Sequence, residues 1–555
     1  MWALGAHSLL LDEASVSIGA RDLLQNHTAL WDADSNAPFV WLMAHLLGFR
    51  GLANPFLLRL PSAIVGTASI IALYWLARRL FEERIAGITA ILFAIHPFAV
   101  AFNRVLFADS FQLFFILLGC IAFDRFATRV AEMQRPPLWQ NRWAQLALIF
   151  LIWGIAFLMK YNALVPGTLW LAAAVVSRRY SIGRTSLCFI AMGLGAFATL
   201  LPWPYDAPIW LFAFLNKGGS YNTVQAAHFF WTKLHLILFG MTEIALVAGV
   251  IMSFVLRSER RKPIAHTTLF ILFDLVTISI LGRSFERYLL MIVPFACLLL
   301  VALAFSLFPS DTQKARNRRW RPIVIATIVF AFGIFGFGLY SSYSNYCSYL
   351  HNNFDHSQLA KEVLVIEHRN VMGNRPSTRA FWLLPEPIGA YYLGFSQFYS
   401  RAIYPSLDGP LAEQNYFEWA SVPYGRDMDG YHILAIRRMA RRWGISRILR
   451  SPSIFRDSVE ALFHSPQLPR PPAIDYLTSD SVHPGDLLIM QCGMTDLQEE
   501  PILEDISNEN GPPLLKTLPL ARFEVIHVFR PEGSAAISDT TMTRVRAGAW
   551  LMIRK

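Results

Sequence analysis

The chain has 555 residues, of which 54% are hydrophobic and only 16% charged, and its mean hydropathy is +0.38. So much apolar surface has no place in a soluble globular protein of this size, and the chain is read as an integral membrane protein. A formal net charge of +10 would suggest nucleic acid as a partner of a soluble protein, but here the positive charge falls in short clusters between apolar runs, which argues for a bilayer and against nucleic acid.

Met1 to Leu11 is too short for a secretory signal and lacks a basic start. Asp12-Glu13-Ala14 then sets two carboxylates side by side, ahead of apolar segments in which acids are scarce. A carboxylate held at a membrane face is costly unless it has a task, so this pair is a candidate reaction centre. Glu13 to Gln25 mixes Ala14, Ile18 and Leu24 with polar residues and predicts a short helix on the membrane surface. A polar stretch, 26–38, and an apolar segment, Phe39 to Leu47, complete a first loop over residues 1–56.

A helix needs about 20 apolar residues to cross a bilayer, which places spans near 57–80, 85–103, 106–125, 144–160, 162–177, 186–204, 234–256, 264–282, 287–308 and 322–342. Basic clusters occupy every second connection: Arg78-Arg79 with Arg84, the stretch from Arg125 to Arg142, Arg178-Arg179 with Arg184, Arg257 to Lys262, and Lys314 to Arg321. The positive-inside rule puts these in the cytoplasm and the alternate connections outside. Both ends of the membrane region are then extracytoplasmic, which leads to the expectation either of a further helix ahead of Asp12, the favoured reading, or of a short N-terminus that crosses by itself. His96, before Pro97 within an apolar run, reads as the neighbour of a helix kink rather than as a metal ligand. Cys120, Cys188 and Cys297 fall in apolar runs and read as small buried hydrophobes. No Cys and His spacing resembles a zinc site.

After Tyr343 polar residues, Pro and Gly become frequent. Strand-like runs at Arg379 to Leu384, Asp486 to Met490, Phe523 to Phe529 and Ala549 to Ile553, with helix-like stretches such as Ile433 to Trp443 between them, predict one extracytoplasmic α/β domain over 343–555.

Four constellations fall on the predicted outer face: Asp12-Glu13, Arg104 with Asp109, Lys160-Tyr161, and Arg283 with Glu286, Arg287 and Tyr288. A lipid phosphate at the membrane edge needs Arg or Lys, because its charge must be neutralised where water is sparse. Arg283 and Arg287 are four apart and would share a helix face. A nucleophilic hydroxyl needs a carboxylate to take its proton. Neighbours on a helix point about 100° apart, so only one of Asp12 and Glu13 would serve as that base.

These residues carry a resemblance. Asp12-Glu13-Ala14 resembles the acidic motif of the GT-C glycosyltransferases of family 39 and its bacterial relatives, which include protein O-mannosyltransferases and the lipid A aminoarabinose transferase. Arg59-Leu60-Pro61-Ser62 with Arg78-Arg79-Leu80-Phe81, Arg104 with Asp109, Lys160-Tyr161 with Pro166, and Arg287-Tyr288-Leu289-Leu290 with Pro294 resemble further family segments, in the family's order, across about residues 10–310. Where the family often has a His-Pro-Pro turn in the first loop, this chain has Asn36-Ala37-Pro38.

The resemblance implies a multi-pass α-helical membrane protein of GT-C type over 57–342, followed by the α/β domain. It implies an inverting transfer of a sugar from a polyprenyl-phosphate donor to a protein, lipid or glycan hydroxyl. Asp12 would be the base. Glu13 and Asp109 would organise the acceptor or a bound cation. Arg104, Lys160, Arg283, Arg287 and Tyr288 would hold the donor phosphate. Acids at 12, 13 and 109 suit either a divalent cation or direct proton transfer, so a cofactor stays open. A lipid or glycan flippase and a non-catalytic membrane scaffold are the rival classes. The absence of internal repeats and a large polar region after the last span weigh against a transporter.

The alternation of basic clusters predicts that single cysteines placed at Arg129, Arg257 and Lys314 react only with membrane-permeant reagents, and that positions after 343 react from outside. Cytoplasmic labelling within 400–550 overturns the topology.

Overall fold

The computed structural model describes residues 37–52, 54–128, 141–201, 223–238, 241–255, 260–280 and 286–306, four strands in the C-terminal part, and isolated positions between 13 and 24 and at 362, 365 and 451. The chain divides into two compact units. One comprises Met1–Leu58, Tyr205–Lys217 and Cys347–Lys555, and the other Arg59–Pro204 and Gly218–Tyr346.

In the first unit, the described positions between Glu13 and Leu24 are helical. Glu13, Val16, Ser17 and Ala20 are buried, at the spacing of one helical face. The expected surface helix thus has a packed side, and Ser17 Oγ donates to the Leu52 carbonyl at 3.0 Å. Leu52 ends helix α1 (Ala37–Leu52), which covers the apolar segment expected at Phe39 to Leu47 and is broken at Gly48, where φ is +57°. The C-terminal strands β1 (Ala380–Trp382), β2 (Leu487–Cys492), β3 (Phe523–Phe529) and β4 (Gly548–Arg554) follow the four strand-like runs of the sequence. They form one mixed sheet in the order β1-β2-β4-β3, parallel between β1 and β2 and antiparallel elsewhere, with a register shift between Val525 and His527. The helix expected at Ile433 to Trp443 lies outside the described residues.

The second unit is helical. Its elements are α2 (Pro55–Leu80), which begins in the first unit, then α3 (Glu83–Ile95), α4 (Pro97–Asn103), α5 (Ala108–Ala127), α6 (Arg142–Met159), α7 (Leu164–Val176), α8 (Ile182–Leu200), α9 (Thr223–Leu238), α10 (Met241–Val255), α11 (Arg261–Ile280) and α12 (Val293–Ser306). Among the described residues five helices are long and apolar enough to cross a membrane, or six if α3 and α4 count as one bent span. The chain is therefore a multi-pass helical membrane protein.

Three of the expected spans differ in shape. The span expected at 85–103 bends by 65° between α3 and α4, where Pro97 lacks the N–H that would continue the ladder and His96 is buried at the joint. The span expected at 234–256 is two helices, α9 and α10. The span expected at 287–308 begins as a 3-10 turn, Glu286–Met291, and becomes α-helical only at Val293. The span expected at 322–342 lies outside the described residues.

Helices α5, α6, α7 and α8 pack around Trp153, which is fully buried and stacked on Phe123 at 5.1 Å. Room for the indole comes from two glycines. A Cβ on Gly119 of α5 or Gly167 of α7 would lie 2.5 or 2.6 Å from the Trp153 ring. Helices α6 and α8 approach as closely, since a Cβ on Gly195 would meet the Phe150 carbonyl. Small residues at such contacts let backbones meet in lipid, where no hydrophobic force drives association. Cys120, Cys188 and Cys297 are buried free thiols.

Gly119→Val should cost about 1–3 kcal/mol through overpacking against Trp153. Thermal unfolding in detergent should show the loss, and Trp153→Phe in the same chain should restore part of it.

Candidate functional site

The site is built at the start of α5. Helix α4 ends at Asn103, Arg104 is its C-cap, and residues 104–107 turn the chain so that Phe107 precedes the first residue of α5. Asp109 then lies in the first turn of α5, where the helix dipole favours a carboxylate. Arg104 and Asp109 therefore belong to different helices, and the partner of Asp109 is not the arginine five residues before it.

The partner is Lys160. This residue ends α6 in an extended conformation, φ −158° and ψ 120°, before the 3-10 turn Tyr161–Ala163. Its ammonium donates to Asp109 Oδ1 at 2.6 Å, and the two side chains are 7% and 4% exposed. Snorkelling to the interface is thereby excluded for Lys160. One turn further along α5, Gln112 Nε2 donates to Asn162 Oδ1 at 2.8 Å. Two polar ties thus fix the α6–α7 corner to the first two turns of α5.

The 3-10 turn Glu286–Met291 supplies the other side. The Lys160 ammonium lies 5.1 Å from the centroid of the Tyr288 ring, and the Arg287 guanidinium 5.5 Å from that of Phe107. Cations over aromatic faces are held electrostatically, more strongly where water is excluded. Arg287 lies within this 3-10 turn, and Arg283, expected to share a helix face with it, precedes the turn. Arg283 and Asp12 lie outside the described residues, and Glu13 is buried within the first unit. Of the residues picked out in the sequence, Asp109, Lys160, Arg287 and Tyr288 come together, with Arg104 in the turn that leads into α5. Among the described residues no group of His, Cys, Asp and Glu forms a metal site.

A second buried carboxylate, not singled out in the sequence, lies at the other end of α5. Asp124 accepts from Arg79 Nε at 2.9 Å, from Arg179 Nη2 at 2.6 Å and from the Tyr180 hydroxyl at 3.1 Å. Burial and the neighbouring Asp124 charge push the Tyr180 phenol well above its ordinary range, so it stays protonated and donates. Arg184 closes the helix by donating to the Ala127 carbonyl. The signal for this cluster was present: one acid at the end of an apolar span, between basic pairs on two separate connections.

Residues 37–205 match the family model described as dolichyl-phosphate-mannose-protein mannosyltransferase. This stretch, less than a third of the chain, runs from α1 past α8 and includes Arg104, Asp109, Lys160 and Asp124. The resemblance to GT-C membrane glycosyltransferases is thus a finding over that stretch, which is mannosyltransferase-like. No curated protein matches the chain. Among solved structures, ArnT from Cupriavidus metallidurans bound to undecaprenyl phosphate is similar at 13% identity and a TM-score of 0.49, over 70% of this chain and 82% of that one. The Archaeoglobus fulgidus oligosaccharyltransferase tethered to an acceptor peptide is similar at 12% identity and a TM-score of 0.46, over 79% of this chain and 68% of that one.

Removing one partner of a buried ion pair strands the other charge, so Lys160→Met or Asp109→Leu alone should cost about 3–5 kcal/mol. The double variant should cost less than the sum. A double-mutant cycle on unfolding free energy measures the coupling, and additive losses contradict a direct pair.

Proposed function

We propose that the chain is a membrane glycosyltransferase that moves a sugar from a polyprenyl-phosphate donor to an extracytoplasmic hydroxyl with inversion. The observation that carries this reading is the buried Asp109–Lys160 pair, which lies within the stretch that matches a mannosyltransferase family, with Arg287 and Tyr288 gathered beside it at the start of α5.

The chemistry follows from charge. As the acceptor oxygen bonds to the anomeric carbon, the bond to the phosphate oxygen breaks and the lipid phosphate gains a negative charge. Lys160, Arg104 and Arg287 bring positive charge to this corner, which suits a phosphate becoming a dianion. Asp109 positions the Lys160 ammonium before the reaction, so the cation need not reorganise as charge develops. Arg287, with a planar fork, suits two phosphate oxygens, and Arg283 would stand beside it. Asp12 is the proposed base that takes the acceptor proton, on its motif alone, and Glu13 would organise the acceptor or a divalent cation. The C-terminal region, with its mixed sheet, would hold the acceptor.

Every donor of this class leaves the same lipid phosphate, which makes a test independent of the sugar. Undecaprenyl phosphate should raise the melting temperature of the full chain in detergent, less so in Arg287→Ala. In nanodiscs supplied with polyprenyl-phosphate sugars, Arg287→Ala should lower turnover per folded molecule by about 10²-fold or more, with Arg287→Lys recovering part. Asp12→Asn should abolish turnover and keep the lipid-phosphate stabilisation. Normal turnover in Arg287→Ala removes that residue from the site.

A further inference from the structure

A groove of about 910 Å³ opens between α2 and α5, at the end of α5 far from Asp109. This lies within the range of sites that hold small molecules, roughly 300–1,000 Å³. Its walls are apolar: Ile71 and Trp75 of α2 face it, and so do Leu118 and Ile121 of α5. Ile71 and Trp75 are 58% and 49% exposed, so this stretch of α2 is covered by no other described element.

One end of the groove is cationic. Arg78, Arg79 and Arg125 line it together with Asp124. The Asp124 carboxylate is taken up by Arg79, Arg179 and Tyr180. Arg78 stands 5.5 Å over the Trp75 ring, and its acidic contact among the described residues is a long one, 3.6 Å, to the exposed Glu83. Arg125 is exposed and has no acidic partner among the described residues. From Ala68 to Arg79 the groove follows α2 for about 16 Å, the reach of a chain that starts among the arginines and ends among apolar side chains.

We propose that this groove binds an anionic glycerophospholipid of the bilayer, its phosphate between Arg78 and Arg125 and an acyl chain along Ile71, Trp75, Leu118 and Ile121. The charge at one end and the apolar walls behind it match those two parts. Trp75 lies at the boundary, where an amphipathic ring suits the headgroup level. The site is distinct from the Asp109–Lys160 cluster, which begins the same helix, and does not depend on the transferase reading.

Native mass spectrometry of the full chain in detergent, titrated with phosphatidylglycerol and with phosphatidylcholine of the same acyl chains, tests the assignment. Phosphatidylglycerol should bind more tightly. Arg78→Gln and Arg125→Gln should each weaken it by about fivefold, and should weaken phosphatidylcholine less, because its choline already offsets the phosphate charge. Ala68→Phe, which fills the groove and leaves the arginines in place, should weaken both lipids. The arginine variants keep the test decisive if Ala68→Phe does not fold. Equal affinity for the two lipids, or unchanged phosphatidylglycerol binding in Arg78→Gln/Arg125→Gln, overturns the proposal. So does a stable dimer that Ala68→Phe dissociates, since a second copy would then be the occupant.

Discussion

An ionised carboxylate inside a membrane helix is costly without a cation beside it, and α5 has one paired in this way at each end. Asp109 is bound by Lys160 and Asp124 by Arg79 and Arg179, with both acids almost wholly buried. Fifteen residues separate the two acids, about 22 Å along the axis. Each ion pair would be a poor source of stability if a well-packed apolar pair replaced it. Their value lies in what they exclude. The two pairs together restrict how α5 can sit against α2, the α6–α7 corner and the α7–α8 turn, and in the placement they hold, Lys160 lies by the Tyr288 ring and Phe107 by Arg287.

Much of this was legible in the sequence because bilayer thickness leaves little freedom. Apolar runs of about 20 residues predicted α2, α5, α6, α8 and α11 to within a few residues. Pairings between helices were not legible, because the hydropathy of a span does not say which neighbour it meets. Asp109 was picked out, but its partner sits 51 residues later, at a corner whose extended backbone no periodicity announces. A lysine at the end of an apolar run suits snorkelling as well as a buried pair, and only the carboxylate 51 residues before it decides between them. Asp124 was hidden for the opposite reason. It read as the tail of a span, and its two arginines read as ordinary positive-inside charge.

Errors of span shape came from local backbone chemistry that a hydropathy window averages out. Pro97 bends one span, and another starts as a 3-10 turn. These irregular places adjoin the candidate site. Non-helical backbone is tolerated at membrane depth only where protein or a cavity surrounds it, so irregularity itself marks where a multi-pass protein has room for chemistry. The buried histidine at the α3–α4 joint and the buried lysine at the α6 terminus both lie at such places.

A rod clamped at both ends cannot act as a piston. For α5 to slide by one helical turn, about 5.4 Å, two buried carboxylates would lose their cations at once, and the Trp153 indole would have to leave the notch at Gly119. Alternating-access machines need at least one bundle that rocks cheaply against another. Helices α5 to α8 instead form a stator. Any travelling part must be sought in segments that approach this block without being stapled to it.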